Sequence, residues 1–205
     1  MPLFFNEPIE TYLLAGLGNP GREYRDNRHN VGFMLADAVC AAHGIKIGKV
    51  QSKALIGSGQ VSGKRLVIAK PQTFMNLSGQ AVAGVARFYK IPLDHILVAH
   101  DDLDLPTGVL RLRPGGGSGG QKGVASIIQQ LGTPDFARLR IGIGRPPGQM
   151  DPAAYVLQDF STADREIIDE SLARAVKAVL TFLESGLNTA MNQFNGLLKE
   201  GNDLA

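Results

Sequence analysis

Four residues combine types and settings suited to acid–base chemistry without a covalent nucleophile: Asn19, His29, Asn76 and Asp101. Asn19 follows the short apolar run TYLLAGLG, and His29 stands at the mouth of the helix-like run NVGFMLADAVCAAHG. Asn76 opens NLSGQAVAGVARFYK, and Asp101 lies at the end of HILVAHDD. A carboxylate that accepts one imidazole N–H fixes the tautomer and makes the other ring nitrogen a better base. That nitrogen can take a proton from water, a form of help worth ~10²–10⁴-fold. Nearby amides can orient a carbonyl and support an oxyanion. The chemistry this set implies is direct hydrolysis of an activated acyl group, such as an ester. The same residues also admit a structural reading: His29 as a surface or capping group, Asp101 bonded to turn amides, and the asparagines as ordinary loop and cap residues.

Other reactive-looking patterns lack their required context. Gly16-x-Gly18-x-x-Gly21 has the spacing of a dinucleotide turn, but helical periodicity resumes only near Val31, whereas that fold starts its helix inside the glycines. GGGSGGQKG resembles a phosphate loop, yet Lys122 is followed by Gly123 where Ser or Thr is needed. Ser118 fits G-x-S-x-G, but His29, His43, His95 and His100 all precede it, the wrong order for that hydrolase. Cys40 sits among apolar helical residues and reads as core. His100, Asp101, Asp102 and Asp104 form the one cluster of metal-ligand types, but adjacent strand residues face opposite ways, so no metal or other cofactor is expected.

The elements that must position the four residues follow from periodicity. TYLLAGLG and HILVAHDD read as buried strands, and ALIGSGQVSGKRLVIAKP as two strands joined at Ser62-Gly63-Lys64. Asn30 is a candidate N-cap and Gly44 a stop for the first helix, and Gly132 ends GQKGVASIIQQLG. GVLRLRPGG and ARLRIGIGRP alternate; in the latter Leu139, Ile141 and Ile143 share one face, with Arg138 and Arg140 on the other. A long amphipathic helix, capped at Ser161 or Thr162, runs to Ser185-Gly186. Strands interleaved with helices predict an α/β fold, a single domain over 1–205 with a mixed sheet and helices on both faces. Residues 1–10 and 198–205 are expected to be loose ends. Active sites gather at the carboxyl ends of strands in such sheets, where the four residues would meet.

Composition narrows the setting. No apolar run is long enough to span a membrane, the N-terminus lacks the pattern of a signal peptide, and one cysteine rules out an intrachain disulfide. A cytoplasmic protein is expected. Net charge is only +2, but residues 108–149 carry six bases against the single acid Asp135, while residues 150–205 carry four bases and nine acids. A basic middle points to an anionic partner such as a phosphate backbone.

Together GLGNPGREYRDNRHNVG, KPQTFMNLSGQAV, VAHDDLDLPTGVLRLRPGGGSGGQKG and FARLRIGIGRP resemble the bacterial-type peptidyl-tRNA hydrolases, over about Leu13 to Phe194. The resemblance implies cleavage of the ester between a peptide and the terminal ribose of tRNA, which frees tRNA from abandoned peptides, on one α/β domain with a twisted mixed sheet and without metal or cofactor. It implies His29 as general base, Asp101 as its support, and Asn19 as the residue that separates N-blocked from free aminoacyl esters. Tyr24, Phe74 and Asn76 would contact the tRNA end or the peptide, and Met75 would line the same cleft. Arg113 and Arg140 would grip acceptor-stem phosphates. The partner would be peptidyl-tRNA, handled by a monomer, with no membrane involved. One departure stands out: the family usually reads Gly-Gly-His-Asn-Gly where this chain has Gly119-Gly120-Gln121-Lys122-Gly123. Lysine offers donors and a point charge but no acceptor, so Lys122 is expected to meet a phosphate or ribose oxygen instead. The alternative is a non-catalytic RNA-binding module on the same fold.

Overall fold

The computed structural model describes residues 9–195. Of the expected loose ends only Ile9 and Glu10 fall inside that range, and both are exposed; the remainder lies outside the described residues. Among the described residues seven strands form one sheet in the order β2-β3-β4-β1-β5-β7-β6. β1 (Thr11–Gly16) is central and runs parallel to both β4 (Lys64–Pro71) and β5 (Ile96–Asp102). β7 (Ala137–Gly142) continues the parallel core beside β5. The edges are antiparallel: β3 (Ala54–Val61) and β2 (Ile47–Gln51) on one side, β6 (Leu110–Arg113) on the other. This is the mixed α/β sheet expected. β2 was not anticipated, because Gly48 and Lys49 interrupt the apolar pattern and most of the strand is exposed.

Alternation along the buried strands builds two apolar layers. Leu14, Ile68, Leu97, Leu139 and Ile141 face α1 (Val31–His43) and α5 (Thr162–Phe194). Leu13, Val67, Ile96 and Val98 face α2 (Ser78–Tyr89) and α3 (Lys122–Leu131). A short α4 (Pro152–Val156), also unforeseen, is capped by Asp151 and stands before α5. Gly44 and Gly132 end α1 and α3 in the left-handed conformation, as expected of glycine stops. The Ser161 hydroxyl accepts the Asp164 N–H and starts α5.

α5 runs further than its sequence pattern indicates. Gly186 adopts φ 80°, ψ 173°, and helix resumes beyond it to Phe194. The extension delivers Asn195 to β6, where its amide accepts from Leu112 N at 2.6 Å and donates to Leu112 O at 3.2 Å. That side chain satisfies backbone groups on an edge strand that would otherwise be open.

The chain direction reverses its way across the sheet at β1, with β4 on one side and β5 on the other. The crevice at the carboxyl ends of β1 and β5 is therefore the switch point where ligands bind in such sheets.

Candidate active site

The turn that carries His29 is fixed from both ends. On one side α1 begins almost in contact with the strand ends. A Cβ on Gly32 would lie 2.4 Å from Ala99 O and 2.5 Å from Leu17 N, so only glycine lets the helix start there. On the other side Arg28, almost fully buried, donates to Gln158 O at 3.3 Å and to Asp164 at 3.2 Å, and its guanidinium lies 4.4 Å from the Tyr155 ring centre. Asn27 adds a 2.7 Å bond to Asp159. The 3-10 turn Arg28–Asn30 is thus pinned by residues from the far end of the chain. The helix begins well past Gly21, so the glycine spacing makes no dinucleotide turn.

From that turn the His29 ring reaches Asp101 at the end of β5, with Nδ1 2.7 Å from Oδ2. Burial alone would push the Asp101 carboxyl up, but the neighbouring His29 and the Gln121 amide hold it below the usual carboxylate range. An ionised carboxylate only accepts, so His29 Nδ1 is the ring nitrogen that donates, and Nε2 is the one left to face the cleft. His29 and Asp101 both line a cleft of about 950 Å³. Asp101 is 4% and His29 13% exposed at the side chain, which leaves the carboxylate sealed and the imidazole accessible.

Asn19 lies on the same wall. Its Oδ1 accepts the Met75 N–H at 2.8 Å, which joins the loop after β1 to the one-turn helix Met75–Leu77. Asn30 does not cap α1 as its position suggested. Its amide instead accepts from Asn19 N at 2.8 Å and donates to Asn19 O at 3.0 Å, holding that residue's backbone on both sides. The Asn19 oxygen is committed, so its amide nitrogen is the polar group left for the cleft. Met75 is buried beneath, while Phe74, 58% exposed, and Asn76 stand out along the rim.

The opposite end of the cleft is basic. Arg113, exposed, and Arg140 line it together with Lys122, the first residue of α3. Arg140 is ion-paired with Asp102, whereas Arg113 and Lys122 have no ion-pair partner among the described residues. Arg138, the other arginine of β7, is buried and donates to Gly117 O at 2.6 Å and Pro134 O at 3.2 Å, so its charge shapes the glycine loop. Tyr24 lies in another 3-10 turn, Arg22–Tyr24, and does not line the cleft. Nine of the ten candidate residues are thus brought to one cleft, and Tyr24 is not.

Gln121 was missed as a site residue. Its Nε2 donates to Asp101 Oδ1 at 3.0 Å, and its Oε1 accepts the Val124 N–H at 2.8 Å as the N-cap of α3. The sequence offered one cue, its place just ahead of a helical run; nothing local pointed to Asp101. His100, one of the metal-ligand types in the sequence, turns to the backbone instead. It is buried, its Nδ1 donates to Asp101 O at 2.7 Å, and burial pushes its pKa down despite the nearby acids. Among the described residues no group of three His, Cys, Asp or Glu is placed to hold a metal ion. Cys40 is buried; burial, with help from Asp37, pushes its thiol up to about 11, which suits a core residue and not a nucleophile.

The sequence profile of the peptidyl-tRNA hydrolase family matches residues 13–202. The chain belongs to that family. A peptidyl-tRNA hydrolase from Caldanaerobacter subterraneus subsp. tengcongensis is 48% identical over 90% of this chain and 100% of its own length. One from Carboxydothermus hydrogenoformans is 49% identical over 90% of this chain and 98% of its own. The crystal structure of peptidyl-tRNA hydrolase from Acinetobacter baumannii superposes with a TM-score of 0.86 at 35% identity, covering 93% of this chain and 97% of that one. Similarity to the hydrolase family therefore extends over nearly the whole described fold. No helix among the described residues is long and apolar enough to cross a membrane.

Proposed function

We propose that this chain hydrolyses the ester between a peptide and the 3′-terminal ribose of tRNA, with His29 as general base. The observation that carries the reading is the 2.7 Å bond from a cleft-facing imidazole to a sealed, ionised carboxylate. Water delivers a proton to His29 Nε2 while its oxygen attacks the ester carbonyl carbon. The tetrahedral intermediate then expels the ribose 3′ oxygen, which takes from His29 the proton that came from water and leaves as the free tRNA hydroxyl. Asp101 keeps the imidazole in the right tautomer and steadies its positive form. The Asn19 amide N–H, aimed by the bonds that hold its oxygen and backbone, meets the acyl group and senses whether its amine is blocked. Asn76 offers a further amide on the same wall.

Affinity in this reading comes from phosphate contacts, and recognition from the shape of the tRNA end. Arg113, Arg140 and Lys122 face the acceptor stem, and the exposed Phe74 ring offers a platform for a terminal base or an apolar peptide side chain. Tyr24, outside the cleft wall, would act only on parts of the substrate that extend beyond it. One chain supplies every residue of the site, which supports action as a monomer. The enzyme would work where peptidyl-tRNA is made, the cytoplasm on the sequence expectation.

Purified protein incubated with N-acetyl-aminoacyl-tRNA and with its unblocked counterpart tests the assignment. Selective release from the blocked ester is expected, with inhibition by uncharged tRNA. Equal release from both, or indifference to uncharged tRNA, would point to a general esterase. His29→Ala should lower kcat by at least roughly 10²-fold and leave tRNA binding intact. Parallel loss of turnover and binding would make His29 structural.

A further inference from the structure

The Gln121 amide holds two elements together. Its nitrogen donates to Asp101 Oδ1 and its oxygen accepts from Val124 N, so the amide cannot turn without losing both bonds. Its orientation follows from chemistry: a backbone N–H needs an acceptor and an ionised carboxylate needs a donor. The second Asp101 oxygen, Oδ2, faces His29. A carboxylate held by one oxygen can pivot about its Cβ–Cγ bond; held by both, its plane is set relative to the imidazole. The preceding Gly119 and Gly120 have φ of 57° and 82°, which lets the loop drop the chain onto the α3 N-terminus at this point. A carboxamide does not titrate near neutrality, so this contact carries no charge of its own.

We propose that Gln121 is a positioning residue for hydrolysis, a charge-neutral clamp that locks the Asp101 carboxylate to α3 and leaves His29 as the one ionisable partner of that carboxylate's side-chain bonds. The proposal rests on the reading of His29 as the base. Several other charged or titratable groups lie on the elements packed around the clamp. Arg28 comes from the His29 turn and is engaged by Asp164; His100 and Asp102 come from β5. Arg140 on β7 is paired with Asp102, Lys122 follows Gln121 on α3, and Asp151 lines the cleft from the start of α4. His100 contacts only the Asp101 backbone oxygen and is buried, so it takes no part in the carboxylate's own bonds.

Three variants of the full chain separate clamping from helix capping. Gln121→Glu is nearly isosteric: it retains an oxygen for Val124 N but turns the donor facing Asp101 into a second carboxylate. Gln121→Ser retains a capping hydroxyl but is too short to reach Asp101. Both should lower kcat for N-acetyl-aminoacyl-tRNA by roughly 10-fold or more, part of the ~10²–10⁴ carried by the base, while KM changes little. Gln121→Glu should also move the acid limb of the kcat/KM profile upward by about one pH unit, because two carboxylates at one site favour protonation nearby. Gln121→His, which restores an N–H donor, should recover much of the lost kcat and add a second ionisation to that limb. If the Glu and Ser variants keep the wild-type kcat and pH profile, or change only thermal stability, Gln121 is a helix cap and the clamp is wrong. His29→Ala run alongside distinguishes the two failures. An active His29→Ala removes the base and the clamp with it; an inactive one beside silent Gln121 variants removes the clamp alone.

Discussion

At the scale of single residues, burial and hydrogen bonding divide two adjacent groups on β5 into different roles. Asp101 is buried but bonded on both oxygens, and so stays ionised; His100 is buried with its Nε2 unpartnered, and so stays neutral. The His100 shift has a consequence for stability. Its folded pKa lies below the unfolded value of about 6.5, so the unfolded chain binds the proton first. Stability is full above that value and falls as the pH drops toward the folded pKa. From pH 7.5 to 5.5 the wild type should lose stability through this group, measured by denaturant unfolding at the two values. His100→Gln should show a smaller loss; an identical pH dependence in the two proteins would contradict a neutral buried imidazole.

At the scale of elements, the site depends on close approach of α1 to the sheet. Gly16 and Gly32 face each other across that contact, and a Cβ on Gly16 would come within 2.2 Å of Gly32 O. The atoms in the way are backbone, which cannot rotate aside. Gly32→Ala should therefore force α1 away from β1 and β5 and cost about 1–3 kcal/mol in stability. Because His29 lies on the turn leading into α1, kcat should fall together with stability. A Gly32→Ala enzyme with full activity and an unchanged melting temperature would show that the contact has slack. α5, by contrast, packs on α1 and β6, and none of its residues lines the cleft, so it covers a sheet face and is not a lid.

At the scale of the whole molecule, positive charge collects where β6 and β7, at one edge of the sheet, and the glycine loop meet one rim of the cleft. Not every cation there is free to meet phosphate. Arg138 is spent on loop carbonyls, and Arg140 shares its charge with Asp102, which leaves Arg113 and Lys122 as the least committed. Lys122→Asn should reduce the slope of log affinity against log salt for tRNA by roughly 0.7–0.9, the value of one phosphate contact. An unchanged slope would remove Lys122 from the phosphate-binding set. The same measurement on Arg113→Gln should give a similar drop, since both charges stand in solvent at the same rim.

The alternation of apolar strands and helices was legible along the chain because burial imposes its period locally, and Leu13/Leu14 or Leu139/Ile141 show it residue by residue. The family motifs and the placing of Asn19, His29, Asn76 and Asp101 near strand ends and helix starts were legible for the same reason. The roles of Arg28, Asn30, Gln121 and Arg138 were not. Each acts through a partner on another element, from Asn19 for Asn30 to Asp164 for Arg28, and side chains of that kind leave no periodic trace. The extension of α5 past Gly186 and the pairing of β2 were hidden likewise, since contacts elsewhere outweighed local propensity. Sequence determined which chemistry was available and on which kinds of element it sat. Only the packing of α1, α3 and β5 against one another decided which oxygen of Asp101 faces the imidazole and which is held by an amide, because that choice depends on three-dimensional distance and not on order along the chain.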